Sequence, residues 1–174
     1  MTYEVGDKVV YPHHGAGTVI NKEKRDVLGQ EREYLIIQIL HNDLTVMVPV
    51  DGADGAGLRK AIDKTDVSDV IAVLRQRETG MPANWNHRLK HNRGKLRTGE
   101  IFEVAEVVRN LSLREQEKKL SIGEKQMLTL AKKILASELM YARGLDVKEA
   151  DKFLDGVLEE MRPVAAGRRM DDGS

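Results

Sequence analysis

Between Glu78 and Glu100 the chain carries Arg88, Lys90, Arg93, Lys95 and Arg97, with His87 and His91 beside them, and no Asp or Glu at all. A solvated helix face normally interleaves both signs, as residues 100–119 do. A one-signed stretch instead offers a footing to a polyanion. Within it stands Trp85, the single tryptophan of the chain. A lone tryptophan at a helix start is commonly a packing residue that anchors the helix. Here the neighbours favour a second use. Flanking cations hold phosphates while a large flat ring leans on a base step, which is the chemistry of a minor-groove wedge. Unstacking a step costs a few kcal/mol, so such a wedge works best where DNA is already opening. Lys118, Lys119 and Lys125 extend the positive surface.

Other chemistries find little support. His13 and His14 are adjacent, so on a strand they point to opposite faces and cannot share a metal without distortion. His87 and His91 are spaced i, i+4, but Arg88 occupies the place of a zinc protease's glutamate and no third ligand is evident. Gly15 and Gly17, like Gly52, Gly55 and Gly57, are not set between a parallel strand and a helix, so they form neither a dinucleotide fingerprint nor a phosphate loop. No serine sits in a nucleophile elbow. Cysteine is absent, which removes thiol catalysis, disulfides and cysteine zinc sites together. The expectation is a binding protein, not an enzyme, with no cofactor and no metal.

The elements that must position these groups divide the chain in two. With 174 residues, 41% hydrophobic and only 4% aromatic, it can build cores resting mainly on Leu, Ile, Val, Ala and Met. Net charge is zero, yet residues 1–78 sum to −3, 79–144 to +6 and 145–174 to −3. Residues 8–50 hold short β-branched runs separated by turn residues, with Pro12 and Pro49 where strands must stop. This predicts a small antiparallel barrel over residues 1–62. From Asp63 the spacing becomes helical: Val67, Val70, Ile71 and Leu74 repeat at i, i+3, i+4 and i+7.

Asn84 is the expected N-cap of a helix running toward Arg97 and ended by Gly99. In the next helix Ile101, Val104, Ala105 and Val108 make the inner face, with Glu103, Glu106 and Arg109 opposite. Ser121-Ile122-Gly123-Glu124 reads as a capping box, and Asp146-Val147-Lys148-Glu149 repeats the device. The fold class is therefore α+β, an N-terminal β barrel followed by an all-α domain over residues 63–162. The tail, 163–174, is expected to be disordered. The first residues lack a signal peptide's pattern, and no apolar run is long enough to span a bilayer. A soluble, cytoplasmic protein without a membrane partner is expected.

The stretch Val5-Gly6-Asp7-Lys8-Val9-Val10-Tyr11-Pro12-His13-His14-Gly15 resembles the opening of CarD and CdnL proteins. Leu44-Thr45-Val46-Met47-Val48-Pro49, Asn84-Trp85, residues 104–111 and residues 120–125 resemble the same family in the same order, so the likeness covers about residues 3–160. Transcription-repair coupling factors share only the first module. The resemblance implies a regulator whose Tudor-like barrel docks on the β subunit of RNA polymerase by adding an edge strand to a polymerase sheet. It further implies that Trp85 wedges into the minor groove of promoter DNA at the upstream edge of the transcription bubble, stabilising the open complex without strong sequence specificity. His87, Arg88, Lys90 and Lys125 would lie near the DNA backbone. Arg25 and Met47 match positions that face the polymerase, although mycobacterial members carry arginine in place of Met47. His87 likewise stands where relatives have arginine, so its phosphate contact would depend on pH near the histidine pKa. A monomer, associated with the nucleoid through polymerase, is implied.

Overall fold

A computed structural model of the chain describes residues 2–12, 14–40, 43–77 and 80–161. The expected tail and His13 lie outside these residues. Strands β1 (Lys8–Tyr11), β2 (Gly15–Val27), β3 (Gln30–Ile39), β4 (Thr45–Pro49) and β5 (Arg59–Lys60) precede helices α1 (Lys64–Leu74), α2 (Trp85–Arg97), α3 (Ile101–Glu117), α4 (Ile122–Arg143) and α5 (Val147–Glu160). The class is α+β as expected. The sheet is antiparallel throughout, in the order β4-β3-β2-β1-β5. Closing it into a barrel would require β4 to pair with β5, and no such ladder exists among the described residues, so the sheet is open.

β2 and β3 are much longer than their apolar runs. Beyond a register shift between Val19 and Asn21 they continue as a two-stranded arm, pairing Arg25 with Arg32 and Val27 with Gln30. Its two-residue turn, Leu28-Gly29, has positive φ at both positions, the type I′ geometry whose twist matches the strands it joins. Alternation then sorts the faces. Val19, Leu35, Ile37 and Val48 point inward and form a core with Tyr3, Val9, Ile39, Ala53 and Leu58. Met47, Ile36 and Asn21 are paired across the opposite face. Arg25, four residues beyond Asn21, lies on that face too.

Near its β1 end the same outer face is covered by α4. Val10 and Ala16 join the helical core, which includes Val70, Leu74, Val104, Val108, Leu111, Met127, Ala131, Leu135 and Leu154. Polar groups fasten the joint: the Ala16 amide donates to Ser137 Oγ at 2.8 Å, and the Thr18 and Tyr141 hydroxyls lie 2.5 Å apart. Arg59 forks onto both oxygens of the fully buried Glu138 at 2.8 Å each.

The helix caps follow the sequence. Asp63 and Asp66, like Asp146 and Glu149, form complete capping boxes, and Gly144 ends α4 in the left-handed conformation. Ser121 caps α4 by accepting from the Glu124 amide, and the Glu124 carboxylate, which Arg88 also holds, accepts from Ser121 in return. Arg109 departs from the face its spacing assigns it: it is buried, donating to the Val73 carbonyl, Gln76 and Asn110. An arginine that reaches backbone carbonyls in a neighbouring helix can lie inside a helical domain.

Candidate nucleic-acid interface

The tip of α2 is built by its cap. Asn84 accepts from the amides of Asn86 and His87 at 2.9 and 3.3 Å, which fixes Trp85 as the first helical residue. Trp85 is 52% exposed and belongs to none of the hydrophobic cores. With no acidic residue in the first turn, the positive end of the helix dipole is left uncompensated beside the ring.

One turn further in, Arg88 is only 2% exposed. Its Nε and Nη2 donate to the two oxygens of Glu124 at 3.0 and 2.8 Å, and Nη1 donates to the carbonyls of Pro82 and Ala83 at 3.3 and 3.0 Å. This guanidinium is committed inside the protein, so the expected phosphate contact does not fit its placement. It anchors the base of the tip instead. Burial pushes the Glu124 carboxyl up, but hydrogen bonds from Arg88 and Ser121 and the Arg88 charge outweigh burial and hold it below the ordinary glutamate range.

The next residue, Leu89, packs on Gly123 so closely that a Cβ there would lie 3.3 Å from a Leu89 methyl. Farther along, Arg93 and Leu96 share a shallow depression with Gln126, Met127 and Leu130. Contacts that advance together in sequence mean that α2 and α4 run parallel. Their N-termini, capped by Asn84 and Ser121, therefore lie at the same end of the domain.

A stretch free of acids in sequence is not free of them in space. Glu124 answers Arg88, and Lys95 meets Glu106 at 2.5 Å and Glu103 at 3.4 Å. Burial lowers the Lys95 pKa, but the hydrogen bond and charge of Glu106, with Glu103 behind it, carry it above the usual lysine value. Lys90, Arg93, Arg97, Lys118, Lys119 and Lys125 are exposed, with no carboxylate within 4 Å among the described residues. His87 and His91 are exposed as well, and no group of three or more potential ligands among the described residues is placed to hold a metal. Among the described residues no helix is long and apolar enough to cross a membrane.

On the sheet, Arg25 is exposed on the arm, where it meets Glu23 at 2.9 Å, and Met47 is exposed on β4. Among the described residues β4 pairs only with β3, so its other edge presents backbone groups that a further strand could use. The outer face leaves both residues beyond the area covered by α4. Two features escaped sequence reading: the role of Glu124, which looked like half of a capping box, and Ile122, 77% exposed at the first position of α4.

Residues 3–62 match the family described as "CarD-like/TRCF RID domain", and residues 69–155, half of the chain, match "CarD, C-terminal domain". A protein of Bacillus subtilis (strain 168), described as "Putative transcription factor YdeB", is 34% identical over 151 residues, 87% of this chain and 99% of that protein.

Proposed function

We propose, for a chain that belongs to the CarD family, a transcription factor that docks on RNA polymerase and stabilises the promoter open complex. Docking uses the open face and free edge of the sheet. β4 adds to a sheet of the polymerase β subunit through backbone hydrogen bonds, which do not depend on a particular side chain at Met47. Arg25 supplies a charged contact on the same face.

DNA is met by the end of α2. Trp85 leans into the minor groove at the upstream edge of the bubble, while Lys90, Lys125 and His87 hold the backbone. The observation that carries this reading is the half-exposed indole at the rim of a helix whose base is tied down by the buried Arg88–Glu124 pair. A rigid support matters because a ring that swings freely gives back, in ordering entropy, what its contact gains. No nucleotide hydrolysis is required. A ligand that binds melted-edge DNA better than closed duplex shifts the population toward the open state by its difference in affinity. Zero net charge makes unaided DNA binding weak, so delivery by polymerase supplies the local concentration.

The test is capture of the purified β subunit together with titration of forked and fully paired promoter DNA. Retention of the β subunit and a preference for forked DNA that disappears in Trp85→Ala are expected. Equal affinity for both DNAs, or no capture, contradicts the proposal.

A further inference from the structure

We propose that Ile122 is a second apolar DNA contact, set beside Trp85, so that opened DNA meets two side chains from two helices. The inference rests on the reading that Trp85 touches DNA.

Ile122 has no work inside the protein. It is 77% exposed, it is absent from every hydrophobic core cluster, and the cap of α4 is supplied by Ser121 rather than by this residue. A β-branched residue at the first position of a helix brings little helix propensity. Among the described residues it is the one large apolar side chain of α4 left exposed. Isolated surface isoleucines are ordinary; the position of this one is not. Trp85 and Ile122 are both first residues of their helices, α2 and α4 run parallel, and the two helices are pinned one turn in by Arg88–Glu124 and by Leu89 against Gly123. Neighbouring helix axes lie about 8–10 Å apart. The two side chains therefore stand at the same end of the domain, within the span of a few base steps of a duplex that rises about 3.4 Å per pair.

Charge selects the occupant. Between residues 118 and 131 the single carboxylate is Glu124, which is buried and paired, whereas Lys118, Lys119 and Lys125 are exposed. Lys125 stands three residues after Ile122, on the same side of the first turn. An exposed apolar side chain one helical step from Lys125, beside a depression in which Lys118, Lys119 and Lys125 outnumber Glu115 and Glu117, suits a phosphate-flanked groove better than a protein partner, and isoleucine belongs to the residue types that wedge between base steps. Trp85 and Ile122 thus bracket the upstream junction, the ring against the broken stack and the branched chain against the sugar edge of the adjoining pairs.

The experiment compares the full chain with Ile122→Ala, Ile122→Gln and Trp85→Ala, using forked and fully paired promoter fragments. For the Ile122 variants, binding is followed by Trp85 fluorescence; for all of them, by anisotropy of labelled DNA. Neither Ile122 change should move the melting temperature, because the side chain is exposed. Affinity for forked DNA should fall roughly 3- to 10-fold, as partial burial of one aliphatic side chain implies. Affinity for fully paired DNA should not change. If Trp85→Ala weakens fork binding and both Ile122 variants leave it intact, the second contact is overturned and the first survives. If none of the three weakens fork binding, the reading on which it rests fails as well. Loss of β-subunit capture in the Ile122 variants, with DNA binding unaltered, would assign the side chain to protein and also overturn the inference.

Discussion

Replacing Glu124 by alanine removes the carboxylate on which Arg88 forks and leaves a guanidinium that is 2% exposed facing an emptied site. Its remaining partners, the Pro82 and Ala83 carbonyls, accept hydrogen bonds but carry no countercharge. Breaking a buried pair from one side costs about 3–5 kcal/mol, far more than the pair contributes relative to an apolar replacement. For a chain of this size each kcal/mol moves the melting temperature by roughly 2–4 °C, so Glu124→Ala should lower it by roughly 6–20 °C. The double variant Arg88→Met, Glu124→Leu should recover most of that loss, because no charge is then stranded. Thermal unfolding followed by circular dichroism and by fluorescence reads both levels of the claim, since Trp85 is the lone tryptophan and reports the tip. A loss under about 1 kcal/mol, the size of an exposed ion pair, would refute the reasoning, as would a double variant no more stable than the single.

Arg59→Ala should cost about 2–4 kcal/mol in urea unfolding, discounted for the partial exposure of Arg59, because Glu138 loses its countercharge in a fully buried site. The two buried carboxyls should respond to pH with opposite sign. Glu124 is held below the ordinary glutamate pKa, so its contribution is present above that value and is lost as pH falls through its lowered folded pKa. Burial pushes Glu138 up despite Arg59, so its contribution is largest below the ordinary value and declines as pH rises through the raised one. Glu124→Gln should therefore flatten the acid limb of a stability profile between about pH 7 and 3, and Glu138→Gln should steepen it. For DNA binding, Lys90→Ala and Lys125→Ala should each reduce the slope of log affinity against log salt by about 0.9, whereas Lys95→Ala should leave it nearly unchanged, since Glu106 and Glu103 already neutralise that lysine.

Wherever burial imposes a period, the sequence was legible. Residues 8–11 and 45–49, the helix caps at Asn84, Ser121 and Asp146, and the stop at Gly144 all fall where the pattern puts them. Residues 24–33 gave no such signal. They pair with each other in an arm exposed on both faces, so neither alternation nor apolar content marks them as strand. β5 is too short, at two residues, to show a pattern. For the candidate interface, composition located the right helix but could not sort its cations. Arg88 and Lys95 find their carboxylates on α4 and α3, elements 36 and 11 residues away in sequence, and only tertiary packing brings these together. The same packing separates the exposed Trp85 and Ile122 from the side of the tip that carries the buried Arg88 and the partly buried Leu89, a division that local spacing does not encode.

The most direct measurement is the lifetime of a promoter open complex, formed with purified polymerase and challenged with a competitor that traps dissociated enzyme. The full chain should lengthen it, and Trp85→Ala, whose half-exposed ring is not needed for folding, should return it to the value for polymerase alone while still docking on the β subunit. An equal lifetime with the full chain and with Trp85→Ala would contradict the account.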